Sequence, residues 1–235
     1  MELSHFALIT GPFVGRSSML ATAEALRAAG AMVTEPDPHQ AHPVDLPSLG
    51  DWALSLVPAV PRTPAPVVVG YGAGTVLAAW LAPRIGASAL ILVDGEVPPD
   101  RGAAPILPDR VSSLLRGAAG TQGLPRWSDW WTDLSTQEDM GLAALSRQRP
   151  ELVEPLAREQ RHFPADWLDQ TLDLDPWTDL PVGYLRLSRF FTTAAEAASG
   201  RGWPVETIDG SHLHPALMGA ETAGAILAVA GELDL

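Results

Sequence analysis

Apolar residues in this chain fall into short dense runs, and between them lie segments in which apolar positions recur at helical spacing. Phe6–Thr10 is such a run, closed by Gly11-Pro12, and reads as a buried strand followed by a loop. A helix is predicted from Ser17 to Ala29, with Ser17 or Ser18 as N-cap, Met19, Ala23 and Leu26 on one face and Gly30 as the stop. Ala31–Thr34 reads as a second strand. Residues 36–66 are rich in proline, hold one short helical pattern at Leu49–Leu56, and read as a surface connection. Val67–Val69 is the third strand, followed by a helix over Ala73–Leu81 that Pro83 should end. Ala89–Val93 is a fourth strand, with Asp94 at its C-terminal end. Strands separated by single helices imply parallel pairing.

The pattern changes after residue 107. Residues 108–177 contain five of the eight tryptophans and many acids, with helical spacing at Arg110–Arg116, Gln137–Arg147 and Pro150–His162 and no plausible β-strand. This segment reads as an inserted helical cap. Beyond it, Val182–Leu187 and Val205–Ile208 resume as strands, and Thr192–Ala198 and Glu221–Ala230 as helices. The fold class expected is α/β, with a doubly wound, mostly parallel six-stranded sheet built from residues 1–107 and 178–235 and a cap over 108–177.

Composition narrows the function classes. The formal net charge is -13 and all fifteen basic residues are arginine, so nucleic acid is not expected as a partner. The absence of lysine and asparagine fits a GC-rich codon bias. Without cysteine there is no disulfide, thiolate metal site or thiol nucleophile. His5, His39, His42 and His162 show no ligand spacing, and neither a metal nor a cofactor is expected. The start of the chain lacks the basic and long apolar regions of a secretory signal, and no run reaches the ~18 apolar residues of a membrane span. A cytoplasmic protein that meets a small molecule and no membrane is the expectation; a homodimer is left open.

The chemistry concentrates in two motifs. Residues 67–76 read Val-Val-Val-Gly-Tyr-Gly-Ala-Gly-Thr-Val, an apolar strand entering a Gly-x-x-x-Gly turn and then a helix. Near the other end, Asp209-Gly210-Ser211-His212-Leu213-His214 follows the last strand. A phosphate-binding reading of Gly11–Ser18 fails, because Arg16 replaces the second glycine and no lysine follows. In the order of these parts the chain resembles the α/β-hydrolase superfamily, with Gly72 where the nucleophile elbow Gly-x-Ser-x-Gly carries serine.

That resemblance implies roles position by position. His212 matches the general base, with His214 as its local competitor. The N–H groups of Phe13 and Ala73 match the oxyanion hole, since Pro12 has none. Residues 188–191 lack the carboxylate usual after that strand, and Asp94 is the substitute, with Glu96 as a backup. Asp94 has an equal alternative, which is to bond backbone N–H groups in the Asp-Gly turn. Tyr71, Trp130, Trp131 and His214 are expected at the substrate pocket. The antiparallel strands that open many members are expected to be missing, so the sheet would be a trimmed one.

A glycine cannot form an acyl-enzyme. A retained base and hole therefore point to proton-transfer chemistry, such as elimination, isomerisation, aldol-type or cyclisation steps, on a small apolar carbonyl compound. The cap and small size resemble tailoring enzymes of bacterial secondary metabolism. Two alternatives stay open: a catalytically dead small-molecule binding protein, or a hydrolase using a displaced nucleophile such as Ser17, Ser188 or an activated water.

Overall fold

The computed structural model describes residues 4–42, 47–120 and 123–233; residues 43–46 of the proline-rich connection lie outside them. The strands are β1 (His5–Thr10), β2 (Met32–Thr34), β3 (Val67–Tyr71), β4 (Ala89–Val93), β5 (Gly102–Pro105), β6 (Thr171–Leu174), β7 (Val182–Arg186) and β8 (Val205–Thr207). The helices are α1 (Leu20–Ala28), α2 (Pro38–Ala41), α3 (Leu49–Leu56), α4 (Gly74–Ile85), α5 (Asp109–Ala118), α6 (Leu134–Met140), α7 (Leu142–Gln148), α8 (Pro150–Glu159), α9 (Thr192–Gly200), α10 (His214–Leu217) and α11 (Gly219–Glu232). Six strands form one parallel sheet in the order β2-β1-β3-β4-β7-β8. This is the doubly wound sheet the spacing predicts.

Both faces of the sheet are covered, which is why its central strands read as unbroken apolar runs. Alternate residues divide between the faces: Phe6, Leu8, Val67, Val69 and Tyr71 pack with Leu26 of α1 and Ile226 of α11. Ala7, Ile9, Val68, Leu90 and Leu92 pack with Leu77 of α4, Trp52 of α3 and the tryptophans of the cap. The sheet's period of two thus separates a structural side from the side that meets the cap.

Several expected boundaries differ for physical reasons. Neither Ser17 nor Ser18 caps α1, because the Ser17 hydroxyl donates to Glu159 Oε1 and the Ser18 hydroxyl to Gly15 O. Pro83 does not end α4. The helix runs to Ile85 and closes at Gly86 in the left-handed region, where the Ala87 N–H reaches Ala82 O. The pattern over Gln137–Arg147 is two helices, broken at Gly141 with φ 82°.

The cap segment also contains a strand, contrary to the purely helical expectation. β6 pairs antiparallel with β5, Gly102 opposite Leu174 and Pro105 opposite Thr171. Thr-Leu-Asp-Leu alternates with Leu172 and Leu174 buried, but its partner Gly-Ala-Ala-Pro has almost no strand propensity, so only the pairing identifies the ribbon. The cap helices leave and return through it. Among the described residues no helix is long and apolar enough to cross a membrane.

Candidate active site

The C-terminal ends of β3, β4 and β7 converge on one point. Gly72 follows β3 at φ 58°, a left-handed conformation that glycine adopts without the strain other residues incur. Its N–H donates to Val93 O at 3.0 Å, and its carbonyl accepts from the N–H and the hydroxyl of Thr75 at 3.2 and 3.0 Å. The flanking glycines are set by close approach. A Cβ on Gly74 would lie 2.2 Å from Ile9 O, and one on Gly70 would lie 2.6 Å from the Ala78 Cβ. The sharp strand-to-helix turn therefore presses α4 against β1 and carries residue 72 to the crest.

His212 faces that crest. A Cβ built on Gly72 would sit 3.0 Å from His212 Nε2, so the imidazole lies directly against this glycine. His212 Nδ1 and Asp94 Oδ2 are 2.8 Å apart, with both side chains buried. Asp94 Oδ2 also accepts from the Ser188 hydroxyl at 2.8 Å, and Oδ1 accepts from the Leu187 and Ser188 N–H groups at 2.9 and 2.7 Å. Asp94 lies against His212, as in the first of the two uses weighed for it, while the N–H groups it accepts belong to residues 187 and 188 after β7 and not to its own Asp-Gly turn. These donors compensate the desolvation of a wholly buried carboxylate. Asp94 stands at φ 43°, which aspartate tolerates better than most residues.

Two phenols hold this arrangement from behind. The Tyr71 hydroxyl donates to His212 O at 2.7 Å, and its ring stacks on the imidazole with centroids 4.7 Å apart. The Tyr184 hydroxyl donates to Gly95 O at 2.7 Å. Burial, and then the Asp94 charge, push both phenols well above the usual tyrosine range, so they remain donors.

In front lies a cavity of about 180 Å³, bounded by Gly72, Ala73, His212, Phe13, Trp127, Trp130, Trp131, Met140, Ile106, Val97 and Phe191. Its wall is apolar except at His212, Thr75 and Glu96. Glu96 is held at the cavity's edge by Arg110 at 2.8 Å, and that guanidinium lies 4.1 Å above the Phe190 ring. Among the described residues the N–H groups of Phe13 and Ala73 have no protein acceptor. A Cβ on Gly11 would touch the Ala73 Cβ at 2.8 Å, which measures how closely the loop after β1 meets the elbow.

The expected site residues divide clearly. Gly72, Ala73, Phe13, His212, Asp94, Trp130 and Trp131 are gathered at the site; Tyr71 and His214 are not on the cavity wall. Tyr71 shares the parity of Val67 and Val69 and so points to the face opposite the cap. His214 belongs to α10, which packs on α1 and α11, and its Nε2 pairs with Glu221 at 3.1 Å. The two serines weighed as displaced nucleophiles lie elsewhere: Ser188 behind Asp94, and Ser17 against Glu159. Of the tryptophans grouped in the cap, Trp127 joins the wall, while Trp167 and Trp177 are not on it, Trp167 donating to Pro47 O and Trp177 to the carbonyl of the wall residue Pro99. Missed entirely were the supporting roles of Ser188 and Tyr184; the only sequence signal was Ser188 standing where a carboxylate is usual. Among the described residues no group of three or more His, Asp or Glu is placed to hold a metal ion.

The loop that carries Phe13 rests on aromatic packing. Phe13 meets Phe163 at 5.1 Å, and Phe163 lies between Trp52 and Trp167; His39 packs edge-on against Trp52 at 4.6 Å. Burial, aided by the Arg161 charge, lowers His39 to about 4. Because the folded value lies below the unfolded one, the unfolded chain binds the extra proton between pH 6.5 and 4, and stability should fall as pH drops through that window. Urea midpoints of wild type and His39→Gln should therefore converge toward pH 4; parallel curves would show that His39 does not titrate this way.

No protein-family model matches the sequence, and no curated protein matches it. Solved structures do. An extracellular α/β-hydrolase from a Paenibacillus species, described as sharing structural and functional homology with tobacco salicylic acid binding protein 2, superposes with a TM-score of 0.68 at 16% identity over 96% of this chain and 98% of its own. Tomato methylketone synthase I complexed with 2-tridecanone gives 0.63 at 16% identity over 99% and 100%. Polyneuridine aldehyde esterase gives 0.65 at 14% identity over 97% and 100%. With its parallel six-stranded sheet and flanking helices, the chain has the α/β-hydrolase fold.

Proposed function

We propose that the protein is an enzyme that moves a proton on a small apolar carbonyl compound, with His212 as base and the Phe13 and Ala73 N–H groups as the hole for the developing oxyanion. The observation that carries this reading is a His212–Asp94 pair kept beside Gly72, where no hydroxyl can be acylated. With its Nδ1 proton donated to Asp94, the imidazole presents the Nε2 lone pair to the cavity, the tautomer being the one this bond favours. A substrate carbonyl in the hole places its α-carbon within reach of Nε2. The α-proton passes to Nε2, the C–H electron pair becomes the enolate π bond, and the charge gathers on the oxygen between the two N–H groups. Asp94 stabilises the imidazolium, which returns the proton to the same or another carbon and completes the cycle without an external reagent.

The apolar wall agrees with such a substrate and excludes water from the enolate. The ketone bound to the tomato enzyme of the same fold is of this chemical kind. The test uses 2-alkanones in D₂O: NMR should show protein-dependent loss of the α-proton signals. Unchanged signals in the presence of a ketone shown to bind would overturn the reading. They would leave the second one, a small-molecule binding protein, which the missing hydroxyl beside a fully formed cavity favours.

A further inference from the structure

Beside the cavity lies a second pocket of about 220 Å³, lined by Leu142, Leu145, Leu156, Ala157, Gln160 and Leu213 between α7, α8 and the residue after His212, and open to solvent along the exposed Ser146 and Val153. Trp127 borders both spaces. Its ring lies 5.7 Å from the His212 ring, and the same residue lines the second pocket.

We infer that Trp127 is a partition that sets the length of substrate the site accepts, and that the second pocket takes the aliphatic tail of a longer carbonyl compound when the indole is removed or turned aside. The inference rests on the reading of the site as one for a carbonyl compound. Each space alone is smaller than the roughly 300–1,000 Å³ of ordinary ligand pockets, and joined they come within that range. The wall of the second pocket is mainly aliphatic, which suits a hydrocarbon tail and no charged group.

The local bonding separates the ring from its backbone. The Ser128 N–H donates to Gln160 Oε1 at 3.1 Å, so the turn at Trp127–Asp129 is anchored to the pocket's own wall. The ring itself is untethered. Trp130, Trp167 and Trp177 donate their indole protons to Pro125 O, Pro47 O and Pro99 O, whereas among the described residues the indole N–H of Trp127, like those of Trp52 and Trp131, has no protein acceptor. Turning or truncating this side chain therefore breaks no hydrogen bond.

The experiment measures binding of 2-alkanones from 2-pentanone to 2-tridecanone by titration calorimetry. Wild-type affinity should rise with chain length, about fourfold per methylene as expected for ~0.8 kcal/mol per buried CH₂, and then level off. In Trp127→Leu, and in Trp127→Phe, which removes less volume and guards against misfolding, the rise should continue to longer chains. Adding Ala157→Trp to Trp127→Leu should bring the early plateau back. The same plateau length in wild type and a cooperatively melting Trp127 variant would overturn the partition, as would an extension indifferent to Ala157→Trp. Binding at all lengths without deuterium exchange would instead overturn only the proton-transfer reading, and no binding at any length would overturn both.

Discussion

Gly72→Ser should convert the protein from one that no serine-directed phosphonate labels into one that is labelled stoichiometrically, with at least trace esterase activity and an acyl-enzyme burst. The hydroxyl would be placed on a finished frame: His212 Nε2 lies 3.0 Å from the position of the new Cβ, Asp94 orients the ring, and the Ala73 N–H follows the serine directly. Two penalties accompany the gain. A serine at φ 58° carries strain of roughly 1–3 kcal/mol, and the imidazole must move back by a few tenths of an ångström. The variant should thus melt lower than wild type while reacting as wild type does not. Thermal melting and phosphonate mass spectrometry read both effects. A well-folded variant that stays inert would mean that the base or the hole is wrongly assigned, whereas labelling of the wild type would refute the absence of a nucleophile.

His212→Ala should lower the rate of deuterium exchange into a bound 2-alkanone by about 10²–10⁴, the share that general acid-base catalysis supplies. Its affinity for the ketone should hardly change. The side chain is buried between Tyr71, Trp127 and Phe191, so its removal enlarges an apolar space and takes no donor from the hole. Asp94 keeps the Ser188 hydroxyl and two N–H groups as partners, which limits the damage to the fold. Exchange followed by NMR beside calorimetric affinity separates the two effects. Loss of affinity with no loss of exchange would reverse the assignment and favour a purely binding role.

Much of the frame was legible because it rests on local rules. The apolar runs of β1, β3 and β4, the glycines around residue 72 and the turn before His212 each follow from what one strand or one tight turn requires. The reach of Asp94 was legible only as one of two equal uses. A sequence shows that a carboxylate ends a strand, but not that the end of the neighbouring strand brings two N–H groups and a hydroxyl to it. Tyr71 was misplaced for a related reason: adjacency to Gly72 along the chain suggested the pocket, while the two-residue period of the strand turns its ring to the other face. His214 lies two residues from His212, yet the short helix it starts carries it toward Glu221.

The chain by itself determined a parallel α/β sheet and a tight, glycine-lined strand-to-helix turn at residue 72, because periodicity and glycine chemistry act over a few residues. Only the tertiary structure decided that Asp94, His212 and Ser188 share one buried network, that Glu96 faces Arg110, that β5 and β6 pair as a ribbon, and that Trp127 borders two pockets. Those facts depend on contacts between residues as far as 118 positions apart, and such contacts are set by how the layers pack and not by any pattern within one element.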